Sequence, residues 1–70
     1  MKQAYTAVIT EQDGWFLGWI EEIPGVNCQE QSRAELIESL REALGEALEM
    51  NKHEAIAAAN GSYVEERIAI

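Results

Sequence analysis

The sequence predicts an α+β fold, with a three-stranded antiparallel sheet, one main amphipathic helix and a closing fourth strand in the order β-β-β-α-β. Three observations predict it. Two segments rich in β-branched and aromatic residues flank an Asp-Gly dipeptide, which is a strong hairpin signal. Apolar residues then recur at spacings of three and four over a long stretch, as in an amphipathic helix. The last residues of the chain return to a strand-like composition.

The three N-terminal strands are predicted from residue type and turn signals. The first covers residues 5–10 and the second residues 15–20, and a hairpin at Asp13-Gly14 joins them. Pro24-Gly25 predicts a turn, because the proline ring fixes its own φ and glycine tolerates a positive φ. Residues 26–30 follow as a short third strand.

The helix is predicted to begin at a capping box. The Ser32 hydroxyl would accept a hydrogen bond from the backbone N–H of Glu35, whose carboxylate would reach back to the N–H of Ser32. The apolar stripe that follows lies opposite a glutamate-rich face and consists of Leu36, Ile37, Leu40, Ala43, Leu44, Ala47 and Leu48. The helical pattern weakens over residues 55–59 and should stop at Asn60-Gly61, with Gly61 in the left-handed position.

The closing strand is predicted over residues 63–70. Val64, Ile68 and Ile70 would share one face of this strand, with Glu66 as an awkward member of the same row. The strand also offers an edge for pairing with a second chain.

The length predicts a single domain over residues 1–70, which is short for a self-sufficient hydrophobic core. Such domains usually gain stability from disulfides, a metal or oligomerisation. Cys28 is the only cysteine and His53 the only histidine, so neither a disulfide nor a structural zinc site is expected. A homodimer, a higher homo-oligomer or a bound partner is the remaining source of stability.

The charge balance indicates what kind of partner to expect. The chain has 13 acidic and 5 basic residues and a formal net charge of −8. This surface repels phosphate backbones, so we expect no direct binding of nucleic acid. A basic protein partner suits it, although a net negative charge also serves solubility alone.

The hydropathy pattern predicts a cytoplasmic protein. The N-terminal residues have no apolar run of signal-peptide length. No stretch approaches the roughly 20 apolar residues of a membrane span. A single free thiol is also typical of a reducing compartment.

The second strand has apolar side chains on both of its faces. Trp15, Leu17 and Trp19 lie on one face, and Phe16 and Ile20 on the other. One helix can cover only one face, so we predict that Trp15, Leu17 and Trp19 bind a partner, since exposed apolar patches and tryptophan mark interfaces. The alternative is that the later half of the chain folds over these residues.

Two glutamates beside the Pro-Gly turn, Glu21 and Glu22, are further candidates for partner binding. Their carboxylates could meet basic residues of another protein. Adjacent glutamates at a turn are also ordinarily just exposed to solvent, and the sequence favours this simpler interpretation slightly.

Catalytic chemistry finds little support, and we predict no enzymatic activity, no metal and no cofactor. The first strand lacks the carboxylate that a two-metal nuclease of the RNase H type would place there. Cys28 and His53 could be imagined as nucleophile and base, but no third group orients them. Capping accounts for Ser32.

Four motifs in this order resemble the HicB-type antitoxins. They are Tyr5-Thr-Ala-Val-Ile9, Asp13-Gly14-Trp15-Phe16, Ile23-Pro24-Gly25-Val26 and Ser32-Arg-Ala-Glu-Leu36. The helix continues with a Leu-x-x-Ala rhythm that is also typical of the family. The similarity covers residues 4–50 and the closing strand.

The resemblance implies a partial RNase H-like fold and the neutralisation of a small basic HicA-like ribonuclease toxin by covering its RNA-binding surface. Many members append a DNA-binding segment, for which this sequence has no room, so the resemblance leaves autorepression open. The alternative function is a stand-alone self-associating domain that binds a small molecule or assembles a larger complex. A weak hydrolase or nuclease is a third and less supported hypothesis.

Overall fold

The chain folds as the α+β arrangement of a three-stranded antiparallel sheet and one long helix. The computed structural model describes residues 4–70, so the first residues of the stretch considered for a signal peptide lie outside the described residues. In chain order the elements are β1 Ala7–Gln12, β2 Trp15–Ile20, β3 Asn27–Glu30 and α1 Arg33–Ala58. The predicted order of three strands and a helix is therefore confirmed.

The sheet has the order β1-β2-β3, and both pairs of strands are antiparallel. Asp13 and Gly14 connect β1 to β2 with φ values of 51° and 83°. Positive φ at both central residues is the requirement of the hairpin turn that matches strand twist, so the Asp-Gly prediction is confirmed. Gly25 has a φ of 88° in the turn before β3, as expected after a proline.

The start of α1 differs in one detail from the predicted capping box. The backbone N–H of Glu35 donates to the Ser32 Oγ at 3.2 Å, as predicted. The Glu35 carboxylate instead accepts the Ser32 hydroxyl at 2.8 Å. The Ser32 side chain therefore bridges the backbone and the carboxylate of the same residue, and it still satisfies one of the free N–H groups of the first turn.

The helix ends one residue earlier than the glycine signal suggested. Ala59 is the C-cap, and Asn60 takes the left-handed conformation with a φ of 52°. Asparagine tolerates this region better than other side chains, so it can take the position that glycine usually holds. Gly61 follows with a φ of 134°.

The hydrophobic core lies between one face of the sheet and the first half of α1. Its buried centre consists of Ile20, Val26, Leu36 and Leu40. Half-buried residues from the strands and from the helix as far as Ala47 pack around that centre. Gly18 lies under the helix, where a Cβ would sit 3.0 Å from the methyl groups of both Leu36 and Leu40. The glycine thus permits the close approach of α1 to β2.

The closing fourth strand predicted over residues 63–70 is not formed. These residues belong to no helix or strand, and all of them are exposed. Eleven residues of α1 follow Ala47, the last helix residue packed on the core. At 1.5 Å per residue they carry the end of the helix about 16 Å beyond it. The C-terminal segment, residues 61–70, consequently begins far from any strand with which it could pair.

The molecule is correspondingly elongated. It measures 50 × 23 × 15 Å and has a radius of gyration of 15.3 Å. A compact domain of this length would have a radius of gyration of about 11 Å. The difference reflects the two parts that leave the core, the second half of α1 and the C-terminal segment.

Candidate functional site

The side of the sheet away from α1 is the candidate site, and we call it the open face. Strand register assigns its members, because directly paired residues lie on the same side of a sheet. The eight residues of the open face are Val8, Thr10, Gln12, Trp15, Leu17, Trp19, Asn27 and Gln29. All eight side chains are uncharged, in a chain of which 26% of residues are charged.

The aromatic centre of the open face comes from β2. Trp15 and Trp19 are 38% and 43% exposed, and Leu17 is half-buried between them. Four residues of strand separate the two indoles by about 13 Å. The predicted interaction residues of β2 therefore form one row in contact with solvent. Phe16 and Ile20, on the other side of the strand, pack in the core as expected.

The neighbouring strands widen this row into a surface. Val8 and Thr10 of β1 pair with Trp19 and Leu17, and on the other side Asn27 and Gln29 of β3 pair with the same two residues. Sequence reasoning missed these four residues and also Gln12, which pairs with Trp15. Their alternation along each strand could have indicated them, but only once the strand register was known.

Glu21 and Glu22 directly follow β2, and the structure gives them different situations. Both are exposed. The backbone N–H of Glu21 donates to the carbonyl of Thr6 at 2.9 Å, which continues the ladder between β1 and β2. The Glu21 side chain is exposed to solvent at the end of β2, beside the open face.

The Glu22 carboxylate is engaged within the chain. Its Oε1 accepts a hydrogen bond from the backbone N–H of Thr6 at 2.8 Å. This hydrogen bond lowers the pKa of Glu22, because it stabilises the ionised carboxylate. Glu22 therefore secures the start of β1, a role that sequence reasoning did not anticipate because the bond joins residues far apart in the chain.

The groups considered for catalysis do not meet. Cys28 packs against the core on the helix side of β3, and burial, followed by the nearby charge of Glu30, raises the pKa of its thiol. His53 lies on the exposed second half of α1, where its Nε2 is 3.7 Å from a Glu49 carboxylate oxygen. Within residues 4–70, no three His, Cys, Asp or Glu side chains are grouped as metal ligands.

Acidic residues of β3 and α1 hold the two elements together or face solvent. Glu30 of β3 accepts the Ser39 hydroxyl at 2.6 Å, a bond that ties the helix to the edge of the sheet. Arg41 and Glu38 form an exposed ion pair at 3.1 Å.

In the part of the chain that is described, α1 is the single helix, and it is too polar to span a lipid bilayer.

Comparison with known proteins does not assign the chain to a family. No protein-family model, curated protein or solved structure matches the chain.

Proposed function

We propose that this protein is a cytoplasmic antitoxin-type protein that binds and neutralises a small basic HicA-like ribonuclease by covering its RNA-binding surface. The observation that carries the proposal is the open face, an uncharged surface with two exposed tryptophans on a chain of net charge −8. Apolar centres with aromatic anchors supply most of the binding energy at protein interfaces. The proposal includes a partial RNase H-like fold for the sheet and the helix.

The charge distribution favours a basic protein over nucleic acid as the partner. An RNA-binding surface is basic, so the acidic chain attracts the toxin that carries it. The absence of charge on the open face allows its centre to lose water without burying an unpaired carboxylate. Glu21 stands at the margin of this surface, where a salt bridge to the toxin would remain partly solvated.

The proposal requires that a short basic protein be encoded beside this one, and the experiment uses that protein. Co-expression should yield a stable complex, and addition of the purified protein should abolish RNA cleavage by the toxin. The double variant Trp15→Ser/Trp19→Ser should lose this protection, because both aromatic anchors are removed from the open face. Met50→Ser is the matched control, since Met50 is also exposed but lies on the helix.

Two results would count against the proposal. One is the absence of any complex with a basic neighbouring protein. The other is full protection by the tryptophan double variant, which would place the interface elsewhere. Circular dichroism of each variant verifies that the fold is retained.

The second candidate is a stand-alone domain that associates with itself. The observation favouring it is an accessible surface of 6036 Å². A compact monomer of 7.8 kDa would expose about 4,400 Å². This excess is independent of the open face, and self-association is compatible with the antitoxin function.

A further inference from the structure

The C-terminal segment has a strand-like sequence but pairs with no strand within residues 4–70. Val64 and Ile68 are 90% and 86% exposed, and they lie on the same face of an extended chain. Among the described residues, none from 61 to 70 takes part in a backbone hydrogen bond outside the helices and strands. Water alone is a poor environment for such a row of apolar side chains.

The outer edge of β1, to which no strand of residues 4–70 is paired, is a matching acceptor. The backbone N–H of Glu21 donates to the carbonyl of Thr6, so Thr6 and every second residue after it direct their backbone groups toward β2. In an antiparallel pair the intervening residues direct theirs outward. The outward set is Ala7, Ile9 and Glu11, whose N–H and C=O groups can pair with an added strand.

An apolar groove lies beside this edge, between the start of β1 and α1. It is lined mainly by Ala4, Ala7, Ile37, Leu40 and Leu44. Among the described residues that line the groove, Arg41 is the one with a positive charge, and none has a carboxylate. Side chains from one face of an added strand would enter this groove and cover the helix side of the core.

The opposite edge, at β3, is a poor alternative. The surface beside it is lined by four glutamates of β3 and α1, namely Glu30, Glu35, Glu38 and Glu42. The C-terminal segment itself carries Glu65, Glu66 and Arg67, so it has a net negative charge. Like charges would oppose pairing at β3, whereas the groove at β1 offers a positive charge.

The length of α1 indicates whether the C-terminal segment pairs with its own sheet or with the sheet of a second copy of the chain. The helix ends about 16 Å beyond the core. A return to the chain's own sheet would use about five extended residues for that distance. Only residues 66–70 would then reach β1, and Val64 would remain outside. The edge of a second copy has no such restriction.

We propose that residues 63–70 form the fourth strand of a second copy's sheet, paired with the outer edge of β1, in a reciprocal strand-exchanged homodimer. Every copy has both the outer edge of β1 and the C-terminal segment. Two copies related by a two-fold axis can therefore pair each segment with the edge of the other copy. The surface that each chain exposes beyond a compact monomer is about 1,600 Å². Two such surfaces reach the range of obligate dimers.

The row of side chains that enters the groove includes Glu66, which lies between Val64 and Ile68. Its carboxylate meets Arg41 of the second copy, the cation of the groove. This pairing accounts for an acidic residue within an otherwise apolar row. The opposite row, with Glu65 and Ala69, faces away from the groove.

Sedimentation velocity of the full chain over a range of concentrations tests the dimer. The expected species has twice the 7.8 kDa mass of one chain. Ile68→Asp should raise the dimer dissociation constant about a hundredfold, because it brings a charge into an apolar groove. Ala69→Asp, with the same new charge on the opposite row, should leave the constant nearly unchanged.

A charge exchange tests the register. Glu66→Arg and Arg41→Glu should each weaken the dimer, and the double variant should recover most of the loss. Glu65→Arg is the control for Glu66→Arg, since it makes the same change on the opposite row. The exposed ion pair that Arg41→Glu breaks with Glu38 contributes little by itself.

Three outcomes would overturn the proposal. They are a monomer at every concentration, a dimer that Ile68→Asp and Ala69→Asp weaken equally, and a monomer whose residues 66–70 are protected from hydrogen exchange. The last would show pairing within one chain. The proposal does not rest on the antitoxin function, because Ile68→Asp leaves the open face intact and toxin binding is measured separately.

Discussion

At the scale of single residues, Gly18 permits the close packing of the helix on the sheet. The absence of a side chain there allows Leu36 and Leu40 to lie directly on β2. Both leucines are almost completely buried, so they have little room to move aside. The close approach of helix to sheet at this point therefore depends on the missing side chain.

Replacing this glycine should therefore destabilise the fold. We expect Gly18→Val to lower the free energy of unfolding by about 1–3 kcal/mol through overpacking. Urea denaturation at a fixed protein concentration measures the change. Gly45→Ala is the control: nothing lies within 4 Å of its added Cβ, so it should raise stability by up to about 1 kcal/mol. Equal destabilisation by both variants would contradict this account.

Glu22 adds a pH dependence at the same scale. The Thr6 N–H holds the pKa of Glu22 below its ordinary value, so the ionised carboxylate binds better in the folded state. Its contribution is fully present above the unfolded pKa and is lost as the pH falls through the folded pKa.

Glu22→Gln keeps an acceptor but cannot titrate. The difference in melting temperature between the protein and Glu22→Gln should be greatest near neutral pH and should shrink on acidification. Thermal denaturation across this pH range measures it. A difference that stays constant or grows toward low pH would show that the Thr6 bond does not favour the ionised form.

At the scale of elements, α1 consists of two halves with different roles. The first half is capped by Ser32 and packs on the sheet as far as Ala47. The second half extends beyond the sheet and carries the C-terminal segment away from it. Helical propensity accounts for the second half, since residues 54–59 contain four alanines and no proline or glycine.

The cap should matter for the first half. Ser32→Ala removes the acceptor for the Glu35 N–H and should cost about 1 kcal/mol of stability. Ser32→Asp keeps an acceptor at this position and should retain most of it. Ser62→Ala, in the exposed C-terminal segment, serves as the neutral control. Chemical denaturation of the three variants provides the comparison, and an unchanged Ser32→Ala would show that water replaces the cap without cost.

At the scale of the whole molecule, charge and shape point to two different associations. The net charge of −8 attracts a basic partner and opposes the approach of a second identical chain. The elongated form has the open face for one association, and the outer edge of β1 and the C-terminal segment for the other. The two surfaces lie on different parts of the chain, so both can be occupied together.

Ionic strength should therefore move the two associations in opposite directions. Added salt screens the charge on the chain, so it should slow binding to the proposed basic toxin and tighten the proposed homodimer. Stopped-flow tryptophan fluorescence follows the first process, and sedimentation at matched salt concentrations follows the second. The toxin association rate should fall about tenfold from low to high salt. A shift of both processes in the same direction would contradict this assignment of charge roles.

Local chemistry made much of the fold predictable. Asp13 and Gly14 require a hairpin, Pro24-Gly25 a turn, and Ser32 a helix start, and each acts over only a few residues. Period-two alternation likewise separated Trp15, Leu17 and Trp19 from the core side of β2. These signals depend on bonds and steric limits that are present before the chain is folded.

The members of the open face on β1 and β3, the close contact at Gly18 and the bond from Thr6 to Glu22 were not predictable in this way. Each depends on strand register or on the approach of distant segments. The fate of residues 63–70 is the clearest case, since their alternation predicted a strand that their own chain does not pair. The sequence by itself determined which segments can be strands and helix, because propensity and capping are local. Only the tertiary structure decided that α1 extends beyond the sheet and holds residues 63–70 away from the edge of β1. The physical reason is that the position of these residues depends on how far a rigid helix extends past the core.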